Sequence, residues 1–330
     1  MSSGLSSQLG YSANESAYGT ETTVTVFPRL VGSVEHTGNR VQGSGIESGG
    51  LGPVASLYSE VTSAAVGSIS GQVEGKGHLG LFELLMGGSS SAQQAATSAY
   101  LHTFTLADPV GKYRTFQVGR PARGGTVIPG NLVGGKINSA EFTCDKDGGI
   151  LESSYEIDGK SFNNTTALAS VSYLSGAPVF TFSQMAVKMG TYASETNVDG
   201  VRGMSVTVER AMDSEDYVAG NAGAKNEPIV NDYTSITGSI QADWLAKTTF
   251  EDLAVANTST SLVWEFVSAT AVDTGYYWTW RITVPGIHFE PASQGVDGPA
   301  ELVTDWAWTW RYDGTNLPKI EIISDETTVP

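Results

Sequence analysis

Apolar and polar positions alternate along residues 67–75 and then give way to an almost wholly apolar run at 79–86. Alternation at period two is typical of a half-buried strand, and the apolar run predicts a short helix that ends at two glycines. The same order recurs at 238–256. The matching residues are Gly67-Ser68-Ile69 with Gly238-Ser239-Ile240, and Phe82-Glu83-x-Leu85 with Phe250-Glu251-x-Leu253. The pattern predicts a strand–helix unit that occurs twice, which indicates a duplicated chain.

Further alternating or β-branched runs, bounded by turn-forming residues, predict strands along the whole chain. They lie at 30–36, 58–73, 100–106, 113–119, 135–144, 149–157, 178–186, 201–211, 233–244, 261–269, 276–285, 286–290, 304–312 and 320–323. Residues 89–98 are rich in Ser, Ala and Gln and are interpreted as a linker. We therefore predict an all-β fold, a β-sandwich or barrel with one short helix in each unit.

The repeat predicts two tandem β-domains, at residues 29–170 and 171–318. An N-terminal arm (1–28) precedes them, and a C-terminal strand and tail (319–330) follow. A period of roughly 155–170 residues is too long for a solenoid repeat. The same alignment places residues 308–314 where 153–159 lie in the first unit.

Two segments carry no regular pattern, the arm at 1–28 and a glycine-rich loop at 37–57. The arm contains Tyr11 and Tyr18, which we expect to lie against another surface. A long loop without secondary structure in a compact domain is commonly functional, so we expect the 37–57 loop to make assembly contacts.

Charge limits the classes of partner. The chain carries 35 acidic and 18 basic residues, a formal net charge of −17, which opposes binding to nucleic-acid phosphates. Charged residues make up only 16% of the chain, which favours a turn-rich β protein or a surface covered in an assembly. The single Cys144 excludes an internal disulfide and a cysteine-cluster metal site. No stretch approaches the ~20 apolar residues that span a bilayer, so we expect no membrane span.

No catalytic pattern is present in the sequence. The four His are scattered without metal-ligand spacing, no G-x-S-x-G motif occurs, and the G-x-G-x-x-G match at 75–80 lacks the expected βαβ context. We expect neither enzyme activity nor a cofactor. Aromatic residues at period two in 276–280 and 306–312 leave one alternative, a carbohydrate-binding β-sandwich module. An aromatic core or subunit seam is the favoured interpretation, because an exposed tryptophan ladder would aggregate.

Several motifs, taken in order, resemble those of the major tail tube proteins of long-tailed (siphovirus-type) bacteriophages. They are Gly4-Leu5-Ser6-Ser7-Gln8-Leu9-Gly10-Tyr11, Glu15-Ser16-Ala17-Tyr18-Gly19-Thr20, Tyr100-Leu101-His102-Thr103-Phe104-Thr105-Leu106, Gln117-Val118-Gly119-Arg120-Pro121 and Asp313-Gly314-Thr315-Asn316-x-Pro318. Together with the repeated strand–helix unit, they cover nearly the whole chain and resemble the longer, two-unit members of that family.

The resemblance implies a structural role. In that family each unit is a β-sandwich with one flanking helix, six units close a ring whose inner strands form a barrel, and stacked rings form the tube through which the genome leaves. A two-unit chain would form the ring as a trimer with pseudo-six-fold symmetry, and a hexamer stays open. About four inner strands per unit give roughly 24, more than the 16–18 strands that already leave a channel.

The same resemblance implies the partners and the location. The partners would be further copies of the chain, through ring closure and ring stacking, the tape measure protein and other tail proteins. Contact with duplex DNA would be transient and non-adhesive, because an acidic lumen repels phosphates. The protein would be made in the host bacterial cytoplasm and reside in the phage tail of the virion.

Three groups of candidate residues follow. Contacts between rings or subunits are expected at Arg40, Val41, Gln42, Ile46, Leu51, Tyr11 and Tyr18. Packing of the repeated helix is expected from Leu81, Phe82, Leu85, Phe250 and Leu253. Candidate lumen acids are Glu74, Glu152, Glu156 and Asp243.

Overall fold

The computed structural model describes residues 4–47, 50–292 and 302–330, and strands form most of its regular structure. The strands are β1 Gln8–Asn14, β2 Val24–Val26, β3 Val31–Gln42, β4 Tyr58–Gln72, β5 Gly87–Gln93, β6 Tyr100–Leu106, β7 Arg114–Pro121, β8 Val127–Asp145, β9 Glu152–Gly159, β10 Ser161–Asn163, β11 Met185–Gly190, β12 Thr196–Asn197, β13 Val201–Glu209, β14 Ser235–Asp243, β15 Thr260–Asp273, β16 Tyr276–Phe289, β17 Val303–Trp310 and β18 Lys319–Ser324. Helix α1 spans Leu79–Met86 and helix α2 spans Glu251–Val255. The expected all-β class, with one short helix in each half, is confirmed.

Eight strands lie side by side in one antiparallel row, in the order β3–β4–β9–β8–β13–β14–β17–β16. The first four strands come from the first half and the last four from the second, and the order within each four is the same. The registers also match. Val34, Gly67 and Ile157 lie opposite one another in the first four strands, as Val206, Gly238 and Trp308 do in the second. The sequence repeat therefore corresponds to a repeated strand order.

The β8–β13 pairing joins the two groups of four through seven residue pairs, from Gly203 with Asp145 to Glu209 with Ser139. Buried apolar side chains from both halves also belong to one continuous cluster. The division into two tandem domains stays a prediction, because the halves share this row and this core.

Strands β8 and β16 each bend and take part in a second layer. The first part of β8 pairs with β7 and β10, and the first part of β16 pairs with β15 and β18. The bends contain Gly134 and Gly286, whose φ angles are +70° and +74°. A Cβ on Gly286 would lie 2.5 Å from the Arg311 carbonyl oxygen. Glycine is thus required where the chain turns from one layer into the other.

The second layers cover the row on its apolar side. One layer has the order β2–β1–β7–β8–β10, and the other has the order β12–β11–β15–β16–β18–β6–β5. Strand β6, from the first half, pairs with β18 at the end of the chain. Each half is therefore a two-layered β structure, and the second layers enclose the core between themselves and the row.

Helix α1 lies inside the core, and all eight of its residues are buried. A helix that is apolar on all sides is expected in such a position. Leu81, Phe82 and Leu85 are fully buried, as predicted from the sequence. The one charged residue of the helix, Glu83, pairs with the fully buried Arg114 at 2.5 Å and with Lys112 at 2.7 Å. The buried carboxylate is thus neutralised, which burial of a charge requires.

Helix α2 is shorter and lies at the edge of the core. Phe250, which precedes it, is buried and stacks on Trp306 at 5.5 Å between ring centroids. Leu253 is half-buried and packs against the core. Both predicted packing residues contact the core, although the second helix contributes less of its surface.

Several predicted bounds were wrong. Strand β3 continues to Gln42 and β4 begins at Tyr58, so the connection spans 43–57 instead of 37–57, and positions 48 and 49 lie outside the described residues. Serine-rich residues 87–93 form strand β5 because β6 supplies the backbone partner. Residues 276–289 form one bent strand and not two.

The predicted match of 308–314 to 153–159 was also wrong. The strand registers place Trp306 opposite Ile240, as Tyr155 lies opposite Ile69, so the true offset is four residues shorter. Both segments contain an Asp-Gly dipeptide, but the two dipeptides are not structurally equivalent. Asp158-Gly159 lies in β9, whereas Asp313-Gly314 follows β17.

The arm is ordered on its own chain within residues 4–28. Strand β1 pairs with β2 and β7. Tyr11 is fully buried, and its hydroxyl donates a hydrogen bond to the Gly77 carbonyl oxygen at 2.9 Å. The arm therefore packs against its own subunit through β1 and Tyr11.

The C-terminal tail closes over the residues that precede α1. The Gly77 N–H donates to the Glu326 carboxylate at 3.1 Å, and Lys76 pairs with Asp325 at 2.8 Å. Burial raises the pKa of Glu326 from its ordinary value of 4.5 to about 7, although the Gly77 N–H acts in the opposite direction. Burial lowers the pKa of the neighbouring His78 to about 4.

Phe82→Ala should destabilise the chain by about 3–5 kcal/mol, because the ring is fully buried and contacts Phe104 and Phe142. Urea denaturation followed by tryptophan fluorescence measures this change. Val255→Ala on α2, where the side chain is 77% exposed, is the control and should change stability by less than about 0.5 kcal/mol. Equal effects of the two substitutions would contradict the central position of α1.

The raised pKa of Glu326 predicts a pH-dependent stability. Its folded-state pKa lies above the unfolded value, so its contribution is complete below pH 4.5 and is lost as the pH rises through 7. Glu326→Gln keeps an oxygen acceptor for Gly77 but cannot ionise. Its Tm should match that of the wild type at pH 5 and exceed it at pH 8.5. The exposed Glu47→Gln is the control, and a Glu326→Gln difference that does not change with pH would refute the prediction.

Candidate functional site

The row of eight strands has one apolar and one polar face. The apolar positions face the core, and the alternate positions face away from it. On the polar face, hydroxyl and carboxylate side chains stand opposite one another across the strands. One such line is Ser33, Ser68, Glu156, Ser139, Glu209 and Ser235, and another is Gln72, Glu152, Thr143, Ser205 and Ser239. This face is a continuous polar surface that crosses the strands of both halves.

Exposed carboxylates are distributed over most of this face. They belong to Glu35, Glu141, Asp145, Glu152, Glu156, Glu209 and Asp305. Ser68 donates a hydrogen bond to Glu156 at 2.9 Å, and Ser205 and Ser239 are hydrogen-bonded at 3.0 Å. The face is thus acidic and hydroxyl-rich.

Two of the four predicted acids, Glu152 and Glu156, lie on this face and are exposed. Asp243 lies at its border, at the end of β14, and forms an ion pair with Arg202. Glu74 does not belong to the face. It is 8% exposed, lies between β4 and α1, and pairs with Arg29 at 2.7 Å. Period-two alternation could have identified the acids that sequence reasoning missed, since Glu141 and Glu209 alternate with apolar neighbours.

A long segment from the second half covers one end of this face. We call residues 210–234 the strap. Lys225 of the strap pairs with Asp158 of β9, and both side chains are buried. Glu227 of the strap pairs with the buried Lys136 of β8 at 2.6 Å. The strap is therefore fixed to the first half by two ion pairs.

Burial shifts the pKa values of Asp158 and Lys136. Desolvation raises the pKa of Asp158, although Lys225 acts in the opposite direction. Desolvation likewise lowers the pKa of Lys136, although Glu227 opposes it. Removal of one partner from such a pair leaves an uncompensated buried charge, which costs far more than the intact pair contributes. The strap is therefore expected to stay docked as long as both pairs are intact.

The opposite surface of the molecule has a different charge pattern. On the outer face of the second layer, Lys188, Glu265, Arg281 and Glu321 form a ladder across β11, β15, β16 and β18. Lys319 adds a further pair with Glu321 at 2.9 Å. Cross-strand pairs of opposite charge stabilise a sheet and cancel one another's field. The outer face thus carries paired charges of both signs, whereas the polar face of the row is acidic.

The predicted contact residues lie mainly where β3 and β4 extend beyond the body. Val41 is half-exposed, and Ile46 and Leu51 are 98% and 107% exposed. Arg40 pairs with Glu60 of the facing strand at 3.1 Å. Gln42 donates to the Val54 carbonyl oxygen at 3.0 Å. Fully exposed aliphatic side chains at the tip of an extended hairpin are consistent with an assembly contact.

The two predicted arm contacts do not share this position. Tyr11 is buried inside its own chain, so it is not available to a neighbouring subunit, and that prediction was wrong. Tyr18 is half-buried and packs edge-on against Tyr113, 5.5 Å away between ring centroids. Its hydroxyl is buried without a hydrogen-bond partner. The sequence alone predicts an outward arm, because the partner strands β7 and β8 lie about 100 residues away along the chain.

The aromatic strands face the core. Trp264, Trp280, Trp306 and Trp308 are at most 1% exposed. Trp280 packs against Trp264 at 5.5 Å and against Phe142 of the first half at 5.4 Å. The tryptophans that could have formed a sugar-binding platform are thus core residues that join the halves.

The described residues contain no cluster of three or more His, Cys, Asp or Glu side chains placed to hold a metal ion. Within the same part of the chain, no helix has the length and apolar character needed to cross a bilayer. The named strand pairs around 75–80 are antiparallel, so the G-x-G-x-x-G match there has no βαβ setting.

Comparison with known proteins adds no family. A scan against protein-family models finds no match, and a search of curated proteins finds no significant relative.

Proposed function

We propose that the chain is a structural subunit of a phage-type tail tube, in which the polar face of the eight-stranded row lines the lumen. One observation carries the proposal. The row consists of two four-stranded groups of the same order, joined edge to edge by β8 and β13, with an apolar face and an acidic face. Such a row has the form of two adjacent segments of one larger barrel wall.

The free edge of this row supports the proposed ring closure. Strand β3 ends the row, and β4 is its only partner strand among the described residues. Exposed long edges invite pairing with another chain, and a closed barrel removes them. Three chains of eight strands would give about 24, well above the number at which barrels leave an open channel. The repeat thus supports a trimeric ring with pseudo-six-fold symmetry.

The charge pattern supports the assignment of inside and outside. Duplex DNA carries one negative charge per ~1.7 Å of axis, so a wall of carboxylates and hydroxyls would repel it and prevent adhesion. The balanced ladder of Lys188, Glu265, Arg281 and Glu321 would face outward. In this proposal the partners are other copies of the chain, the tape measure protein and passing DNA, and the protein resides in the virion.

The carbohydrate-binding alternative finds less support. The aromatic residues at 276–280 and 306–312 that suggested it are largely buried, with Trp280, Trp306 and Trp308 in the core. A sugar platform needs exposed ring faces. We therefore retain the structural role.

Electron microscopy of the purified chain should show rings or tubules. A reconstruction made without imposed symmetry should have three-fold density, in which two distinguishable four-stranded units alternate around the channel. Absence of any ring or tube under assembly-promoting conditions would refute the proposed function. Six whole chains around the axis would refute the trimer alone.

Charge reversal on the polar face should make the lumen adhesive. Tubes of the variant Glu152→Lys/Glu156→Lys should retain short duplex DNA at low salt and protect it from nuclease, and retention should fall steeply as salt rises. The control is Glu251→Lys/Asp252→Lys, which makes the same charge change on helix α2, away from this face and from the projecting hairpin. DNA bound to control tubes should stay nuclease-sensitive. Equal protection in both variants would contradict the assignment of the lumen.

A further inference from the structure

The two halves differ most in one connection of nearly equal length. Because Val34 pairs with Gly67 as Val206 pairs with Gly238, Thr37 corresponds to Glu209 and Ala64 to Ser235. The connection between these positions is 38–63 in the first half and 210–234, the strap, in the second. The two segments differ in length by one residue, yet they lie in different places.

The strap folds over the neighbouring four-stranded group. The Arg210 N–H donates to the Asn138 carbonyl oxygen at 2.8 Å, where the strap leaves β13. The Ser63 N–H donates to the Gly223 carbonyl oxygen at 2.9 Å, at the far side of the group. Between these points Lys225 and Glu227 form the two ion pairs described above. The strap therefore crosses β8, β9 and β4 and packs against the four-stranded group of the first half.

The first-half segment instead projects. We call residues 38–47 and 50–63 the projecting hairpin. Backbone hydrogen bonds pair its two strands with each other, and Ser63 at its base is the residue that holds the strap. Its tip carries the fully exposed Ile46 and Leu51. The hairpin thus has nearly the same length as the strap, but the single chain contains no further four-stranded group on which it could dock.

The surface that corresponds to the strap's docking site is open on the second half. In the first half, three residues lie under or beside the strap: Ala64, Glu156 and Asp158. Their register equivalents in the second half are, in the same order, Ser235, Ala307 and Thr309. The three second-half residues are uncharged and at least partly exposed. Tyr233, at the end of the strap and two residues before Ser235, is 93% exposed. We call this set the receiving surface.

Side-chain chemistry matches each segment to its own surface. The strap brings Lys225 to a surface that carries Asp158. The described part of the projecting hairpin has one charged residue between positions 43 and 57, the exposed Glu47, and it brings Ile46 and Leu51 to a surface whose register-equivalent residues Ser235, Ala307 and Thr309 are uncharged. An aliphatic tip on an aromatic and hydroxyl surface buries apolar area, which favours docking.

We propose that the projecting hairpin of one chain docks on the receiving surface of a second copy, in the place that the strap takes within the chain. This inference rests on the proposed ring, since it supposes that the contact between chains repeats the contact between halves. Such a contact is head-to-tail, and head-to-tail contacts generate closed rings when the rotation closes.

Site-directed cross-linking tests the contact. The one natural cysteine, Cys144, is buried, so introduced cysteines can be addressed selectively. A mixture of Ile46→Cys and Tyr233→Cys chains, treated with a short bismaleimide, should give a cross-linked dimer in high yield. The matched control mixes Ile46→Cys with Val255→Cys, which is exposed on α2 and away from the receiving surface. It should give several-fold less dimer.

A second variant tests the energetics. Ile46→Asp should raise the concentration needed for assembly at least about ten-fold and leave the Tm of the unassembled chain unchanged. Val255→Asp should assemble as the wild type does. Rings that form normally with Ile46→Asp, or cross-links no stronger than in the control, would overturn the docking proposal while leaving the tube function intact. Failure of the wild type to form any ring would overturn both.

Discussion

The architecture depends on two bent strands. Strands β8 and β16 each begin in an outer layer and end in the eight-stranded row, and each turns at a glycine with positive φ, Gly134 in one and Gly286 in the other. Because the same strand belongs to both layers, the layers cannot shift relative to each other without breaking backbone hydrogen bonds. The bend also fixes which side chains of the row face the core.

Helix α1 fills the space between the layers of the two halves. It contacts β5, β6, β8 and β18, which come from both ends of the chain. Its apolar surface accounts for its burial, and the ion pair of Glu83 with Arg114 and Lys112 neutralises its one charge. Tryptophans of the second half complete the same core through Trp280 and Phe142. The halves are thus joined by packing as well as by the β8–β13 pairing.

The outer face of the second layer and the polar face of the row differ in charge, as expected for the wall of the proposed tube. The outer ladder cancels its own charges, whereas the polar face of the row collects carboxylates from strands of both halves. The two cations of the strap are both buried: Lys225 pairs with Asp158, and Arg210 donates to the Ala107 carbonyl oxygen. Neither of them reduces the exposed negative charge elsewhere on the face. In the proposed tube, this separation would keep the lumen acidic while the charges of the exterior ladder are paired with one another.

The local sequence determined the secondary structure of the repeated unit and which of its side chains are buried or exposed. Alternation and an apolar run predicted the strand–helix repeat, the burial of Phe82 and the exposure of Glu152 and Glu156, because period two and side-chain polarity decide which face is wet. Only the tertiary structure decided the rest. Tyr11 is buried because β7 covers it from about 100 residues away, and Asp158 is buried because Lys225 reaches it across 67 residues. The strap and the projecting hairpin have nearly the same length and different positions, because only one of them has a neighbouring unit within the chain.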